Sequence, residues 1–389
     1  MFSDRTNWKL AHNRLTAALE AARAGGGKIL DLTVSNPTRA GLHYDERAIL
    51  GALGSPRAID YDPQPRGLRP AREAVAEYYR SQHGVRDFDA EKLILTTSTS
   101  EGYSYIFRLL CNPGDELLVP KPSYPLFEFL ADLEDVKLVP YPLIYDHGWQ
   151  MDFPSIENVV TPRTRGVVVV HPNNPTGSHV QAHEMSLLNA FCETRQLALI
   201  VDEVFLDYPH DGRPRGSFTA NEGVLTFTLS GLSKVSALPQ MKVAWIGVSG
   251  PQSETATALA RLEVIADTYL SMNAPLQWAT PALLDQRKSL QGQLLDRVRG
   301  NLAELDRQLA GQKTCERLEV EGGWYAVLRV PVTKSDEDLT IELLQKKSVL
   351  VHPGHFYDFP SDGYLVLSLI TSTEEFAEGV GRILGCLSR

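Results

Sequence analysis

The sequence predicts an α/β fold, with a large domain built on a mostly parallel, seven-stranded sheet between helices and a smaller α+β domain beside it. Three observations predict it. Short apolar runs alternate with stretches of helical periodicity over much of the chain. Several of these runs, such as Val167–Val170 and Leu199–Val201, are apolar at every position, so both faces must be covered, as in the central strands of a parallel sheet. From about Pro281 the texture changes to charged amphipathic helices and a few further strands.

Taken in order, a helix is expected over Asn13–Ala24 and a strand over Ile29–Thr33. The large sheet would be formed by Leu93–Thr97, Glu116–Pro120, Val136–Pro140, Gly166–His171, Leu197–Val201, Val224–Leu229 and Ala244–Val248. A single long helix from Pro281 to about Gln312 would follow, then a strand at Trp324–Val330 and a helix at Asp336–Lys347. Strands at Val349–His352 and Tyr364–Leu369 and a helix from Glu374 to Leu387 would close the chain. The large domain would span 40–280, and 1–39 with 281–389 would form the smaller one, because that smaller domain needs a partner layer.

Composition narrows the class. The chain has 389 residues, 43% hydrophobic and 22% charged, which is globular and rules out disorder, collagen and coiled coil. Its 38 Lys+Arg against 48 Asp+Glu, with no basic run, argues against nucleic acid or anionic membrane as the main partner. The cysteines Cys111, Cys192, Cys315 and Cys386 are widely spaced, with no CxxC, and read as free thiols; no metal is expected. Charges at Asp4 and Arg5 fall where a signal peptide would need apolar residues, and no apolar run approaches the roughly 18 residues of a membrane span, so a cytoplasmic location is expected.

Five segments carry chemistry. In Thr228-Leu229-Ser230-Gly231-Leu232-Ser233-Lys234, a strand ends in Ser-Gly and delivers a lysine to the crevice at the carboxyl end of a sheet, where α/β ligand sites lie. Such a lysine is either a solvated loop cation or an imine-forming nucleophile. Asn173-Asn174-Pro175-Thr176-Gly177 is a turn that follows a buried strand. Asp202, in Val201-Asp202-Glu203-Val204-Phe205, ends an apolar strand, where a carboxylate caps a backbone or faces a cation. Ser98-Thr99-Ser100 opens a helix and reads as an anion cup or as a plain N-cap by Thr99 or Ser100. Lys121-Pro122-Ser123-Tyr124 brings an aromatic to the same edge. Together these suit a flat, aromatic, phosphorylated cofactor that forms an imine.

In this order of motifs, from Tyr61 and Gly67 through Ser98–Ser100, Tyr124, Asn174 and Asp202 to Ser233-Lys234, the chain resembles the class I/II aminotransferases, fold-type I enzymes dependent on pyridoxal 5′-phosphate. The likeness runs from about Leu30 to the C-terminus, and the N-terminal stretch through Ser35-Asn36-Pro37-Thr38 is similar to a bacterial subgroup of unassigned substrate. The resemblance implies that Lys234 forms the imine and moves the proton. Asp202 would pair with the pyridinium nitrogen, Asn174 would bond the ring hydroxyl, and Tyr124 would stack on the ring. Ser98, Thr99, Ser100 and Ser233 would lie around the phosphate. It also implies a homodimer, in which Tyr61 reaches the neighbouring subunit's phosphate. The reaction implied is ping-pong transfer of an amino group from an amino donor to a keto acceptor. A lyase or decarboxylase of the same fold, or a non-catalytic cofactor-binding regulator, stays open.

Three positions depart from the family pattern. Lys242 stands eight residues after Lys234, where an arginine usually forks the phosphate. Phe205 stands three residues after Asp202, where a tyrosine usually bonds the ring hydroxyl. Val366, in Tyr364-Leu365-Val366-Leu367-Ser368, holds the position of the arginine that grips the substrate α-carboxylate. Arg39, Lys121, His352 and His355 are the candidate replacements for that cation, and the residues do not choose among them.

Overall fold

The computed structural model describes residues 1–8, 12–125 and 127–387. Its main sheet has eight strands. From one edge they are Leu93–Thr96, Ala244–Ser249, Thr226–Gly231, Ala198–Asp202, Thr164–Val170, Glu116–Lys121, Lys137–Tyr145 and Trp149–Met151. Seven correspond to the expected strands. The eighth, Trp149–Met151, is a short antiparallel edge too brief to show a period in the sequence. Ala244–Ser249 runs antiparallel to both its neighbours, and the five strands from Thr226–Gly231 to Lys137–Tyr145 are mutually parallel. Val167–Val170 and Leu199–Val201 are buried, as two-sided covering requires.

A second sheet of four strands is formed by Glu316–Arg317, Tyr325–Arg329, Tyr364–Ser368 and His352–Pro353, all antiparallel. The N-terminal strand Leu30–Asp31 pairs in parallel with Val349–Leu350, so the start of the chain packs on its end. The expected strand Val349–His352 is therefore two short strands serving two sheets.

The helix expected from Pro281 to Gln312 is corrected. Pro281 lies inside a separate helix, Ala274–Asp285, and the long helix begins at Arg287 and ends at Leu309. The Asn273 side chain caps the first of these, accepting from the Leu276 N–H at 3.1 Å. Asp336–Lys347 forms as expected, with Ser335 as N-cap and acids in its first turn. Asn13 caps the N-terminal helix Arg14–Ala24. Among the described residues no helix is long and apolar enough to cross a membrane.

Candidate active site

A cavity of about 430 Å³ opens at the carboxyl ends of the parallel strands. Lys234, Asp202, Asn174, Tyr124, Phe205, Ser233 and Ser98–Ser100 all line it, so residues more than a hundred positions apart in the chain converge. Two expected members do not line it. Tyr61 is 79% exposed, in the loop after Pro56–Ile59. Lys242 is exposed with φ 49°, two residues before the lining residue Ala244.

Lys234 sits in a one-turn helix, Leu232–Val235, directly after the strand Thr226–Gly231. Gly231 is needed there, because a Cβ would lie 2.8 Å from the Val243 carbonyl oxygen. Three distant side chains hold the turn through its carbonyls. The Tyr208 hydroxyl donates to Lys234 at 2.6 Å, Gln291 Nε2 to Val235 at 2.7 Å, and the Tyr44 hydroxyl to Ala237 at 2.9 Å. Gln291 also donates to Asp207, which faces His83 at 3.1 Å and accepts from the Tyr78 hydroxyl at 2.9 Å.

The Lys234 amine points across aromatic surface. Nζ lies 4.4 Å from the Trp324 ring centroid and 5.3 Å from that of Phe205, with the Ser35 carbonyl at 3.5 Å. Burial lowers its pKa to about 8, with Asp202 pulling the other way. Asp202 ends the strand Ala198–Asp202. Burial raises its pKa to about 6, opposed by the Val204 N–H, the Tyr103 hydroxyl and Lys234. The Tyr103 hydroxyl donates to Oδ2 and the Val204 N–H to Oδ1, each at 3.1 Å.

Ser98 is the N-cap of helix Thr99–Leu110, accepting from the Glu101 N–H at 3.1 Å, while the Glu101 carboxylate accepts from the Thr97 N–H at 2.6 Å. Ser98 thus takes the capping role that the sequence leaves to Thr99 or Ser100. The helix lies close on the sheet because Gly102 has no side chain: a Cβ would come within 2.6 Å of Leu229. Its amide end and three hydroxyl residues therefore open into the cavity.

The far wall is made by Tyr325, His352 and Tyr357. Val366 is fully buried and pairs across strands with both Val327 and His352. The other candidate cations separate clearly. Lys121 is bound to Asp358 at 3.0 Å, and Arg39 and His355 are exposed outside the lining. Burial holds the His352 imidazole below its ordinary pKa, with Asp31 acting against it. Sequence reasoning did not find Tyr103, Trp324, Tyr325 or Tyr357. Each sits inside an ordinary apolar pattern, and only the fold aims it at the cavity.

A cavity at the strand ends thus joins a desolvated lysine, a half-buried acid and a helix N-terminus, the setting of a ligand site in an α/β enzyme. The chain belongs to the class I and II aminotransferase family, whose model matches residues 4–383, and it is a pyridoxal-phosphate-dependent aminotransferase. It is 28% identical to an alanine aminotransferase of Mycobacterium tuberculosis, over 92% of this chain and 86% of that one. Identity is also 28% to the glutamate-pyruvate aminotransferase AlaA of Haemophilus influenzae, over 93% of this chain and 91% of that one. The fold matches an alanine aminotransferase from Pyrococcus furiosus with TM-score 0.88 at 22% identity, all of both chains being covered.

Proposed function

We propose that pyridoxal 5′-phosphate is held in the Lys234 cavity and that this chain's own residues divide the work of amino transfer there. The observation that carries the reading is the pairing, in one cavity, of a lysine whose pKa desolvation brings down to about 8 with a half-buried carboxylate, Asp202. Other features suit the same group. The buried Asn174 Oδ1 has no hydrogen-bond partner among the described residues, as expected of an amide end that awaits a ring substituent. The hydroxyls of Ser98, Thr99 and Ser100 at a helix N-terminus suit a phosphate.

Bound there, the cofactor would supply an electron sink and a carrier for the amino group. Lys234 would hold the cofactor covalently and then, as a free amine, move the proton at the substrate carbon. Asp202, kept in place by Tyr103 and the Val204 amide, would hold a proton on the ring nitrogen. Tyr124 would cover one ring face. Phe205 packs edge-on against Trp324 at 5.2 Å and would support the ring without a hydrogen bond. Lys242 would add positive charge near the phosphate without the bidentate fork of an arginine.

A homodimer belongs to the same proposal, with the exposed Tyr61 completing the neighbouring site. So does the division into 40–280 and 1–39 plus 281–389, which the pairing of Leu30 with Val349 supports. The alanine named for the relatives is not carried over to this chain, because Val366 replaces the carboxylate-gripping arginine. The test is a donor screen of amines and amino acids with the reconstituted protein. Loss of the bound-cofactor band with build-up of pyridoxamine phosphate is expected. Ammonia or keto product released without that build-up would point to a lyase and overturn the reading.

A further inference from the structure

Among the described residues lining the cavity, Lys234 is the only lysine or arginine and Asp202 the only carboxylate. A donor carboxylate brought to the Val366 end would meet no fixed positive charge there, and burying an unpaired carboxylate is costly. What that end offers is an imidazole. His352 is the cross-strand partner of Val366, and its Nδ1 lies 3.0 Å from the Tyr357 hydroxyl. With the phenol donating to Nδ1 the imidazole hydrogen sits on Nε2, and in the opposite tautomer Nε2 keeps a lone pair; either way a neutral hydrogen-bonding nitrogen faces the cavity. Nε2 has no hydrogen-bond partner among the described residues, and the ring lines the cavity.

We infer that His352, oriented by Tyr357, is the specificity-determining residue of the donor site. It offers a neutral hydrogen-bonding nitrogen and no cation, so an amine whose neighbouring group is a neutral hydroxyl or amide is taken in preference to an α-amino acid, whose carboxylate would go uncompensated. This rests on the reading that the Lys234 cavity takes the cofactor. Val366 is part of the same device. It is fully buried opposite His352 and outside the lining, so it brings no charge to the imidazole, where a guanidinium would favour a carboxylate.

The test uses the reconstituted holoenzyme and three donors of one skeleton: L-alanine, L-alaninol and L-alaninamide. The rate of loss of the cofactor band is read for each. Alaninol and alaninamide are expected to react roughly tenfold faster than alanine or more. His352→Phe, which removes the hydrogen bond to the neutral donors, should slow alaninol and alaninamide more than alanine and so shrink that preference with the cofactor band in place, and His352→Gln, which keeps a neutral hydrogen-bonding group, should retain more of it. Val366→Arg should turn the preference toward alanine. Alanine reacting as fast as alaninol overturns the inference, as does equal slowing of all three donors by His352→Phe, or silence toward all three. Failure to bind pyridoxal 5′-phosphate is seen before any donor is added. It would overturn the cofactor reading, and the inference with it.

Discussion

The Lys234 amine stands 4.4 Å from the centre of the Trp324 ring, so a half-buried cation rests on an aromatic face while Asp202 supplies the opposite charge that acts on it. The ring contact favours the charged amine by roughly 0.5–2 kcal/mol, against the larger effect of burial. Trp324→Leu should therefore lower the Lys234 pKa further. The rate of cofactor capture by the apo protein is expected to rise with pH and level off above about 8 in the wild type. In the variant it should level off at lower pH. A midpoint moved upward would contradict the ring's role.

The same lysine should cost the apo protein stability. Its pKa in the folded chain, about 8, lies below its unfolded value of 10.5, so the unfolded chain holds the extra proton between those limits. Wild-type stability thus rises with pH through that window, and the penalty is fully present below it. Lys234→Met is expected to stabilise the apo protein at pH 7 by on the order of 1–3 kcal/mol. The gain should fade towards pH 10.5. Chemical denaturation at pH 7 and at high pH checks both parts. A variant less stable than wild type at pH 7 would be the wrong sign.

Asp202→Asn keeps the shape of the side chain and removes its charge. It should slow the donor half-reaction roughly 10²–10³-fold while binding of the cofactor persists. Tyr103→Phe removes the hydroxyl that donates to Asp202, and a smaller loss is expected, about tenfold or less. Single-turnover rates separate the two. Equal effects would mean that Tyr103 does more than orient the acid.

Phe205 gives the site no hydroxyl for the ring oxygen. Phe205→Tyr is expected to lower the pKa at which the visible band of the loaded enzyme titrates. An unchanged or higher value would show that the position does not face that oxygen.

Much of this architecture is legible in the sequence because two-sided burial leaves a plain mark: the apolar runs at Val167–Val170 and Leu199–Val201 name central strands without ambiguity. The lysine, acid and hydroxyl segments are legible for a related reason, since each lies at or just past the end of an apolar strand. What escapes is whatever depends on packing at a distance. Tyr103 sits four residues after Thr99 in an apolar helix and reads as core, yet its hydroxyl reaches across to Asp202. Trp324 precedes a strand of the small sheet and reads as core too, until that sheet folds over Lys234. The split at Gln286 was hidden because apolar spacing carries across it from one helix to the next.

The most direct measurement is to load the protein with pyridoxal 5′-phosphate, reduce it with borohydride and map the labelled peptide. The label is expected on Lys234 alone, with Lys234→Ala giving neither label nor visible band. A label on Lys242 or any other lysine, or a persisting band in Lys234→Ala, would contradict the assignment on which the account rests.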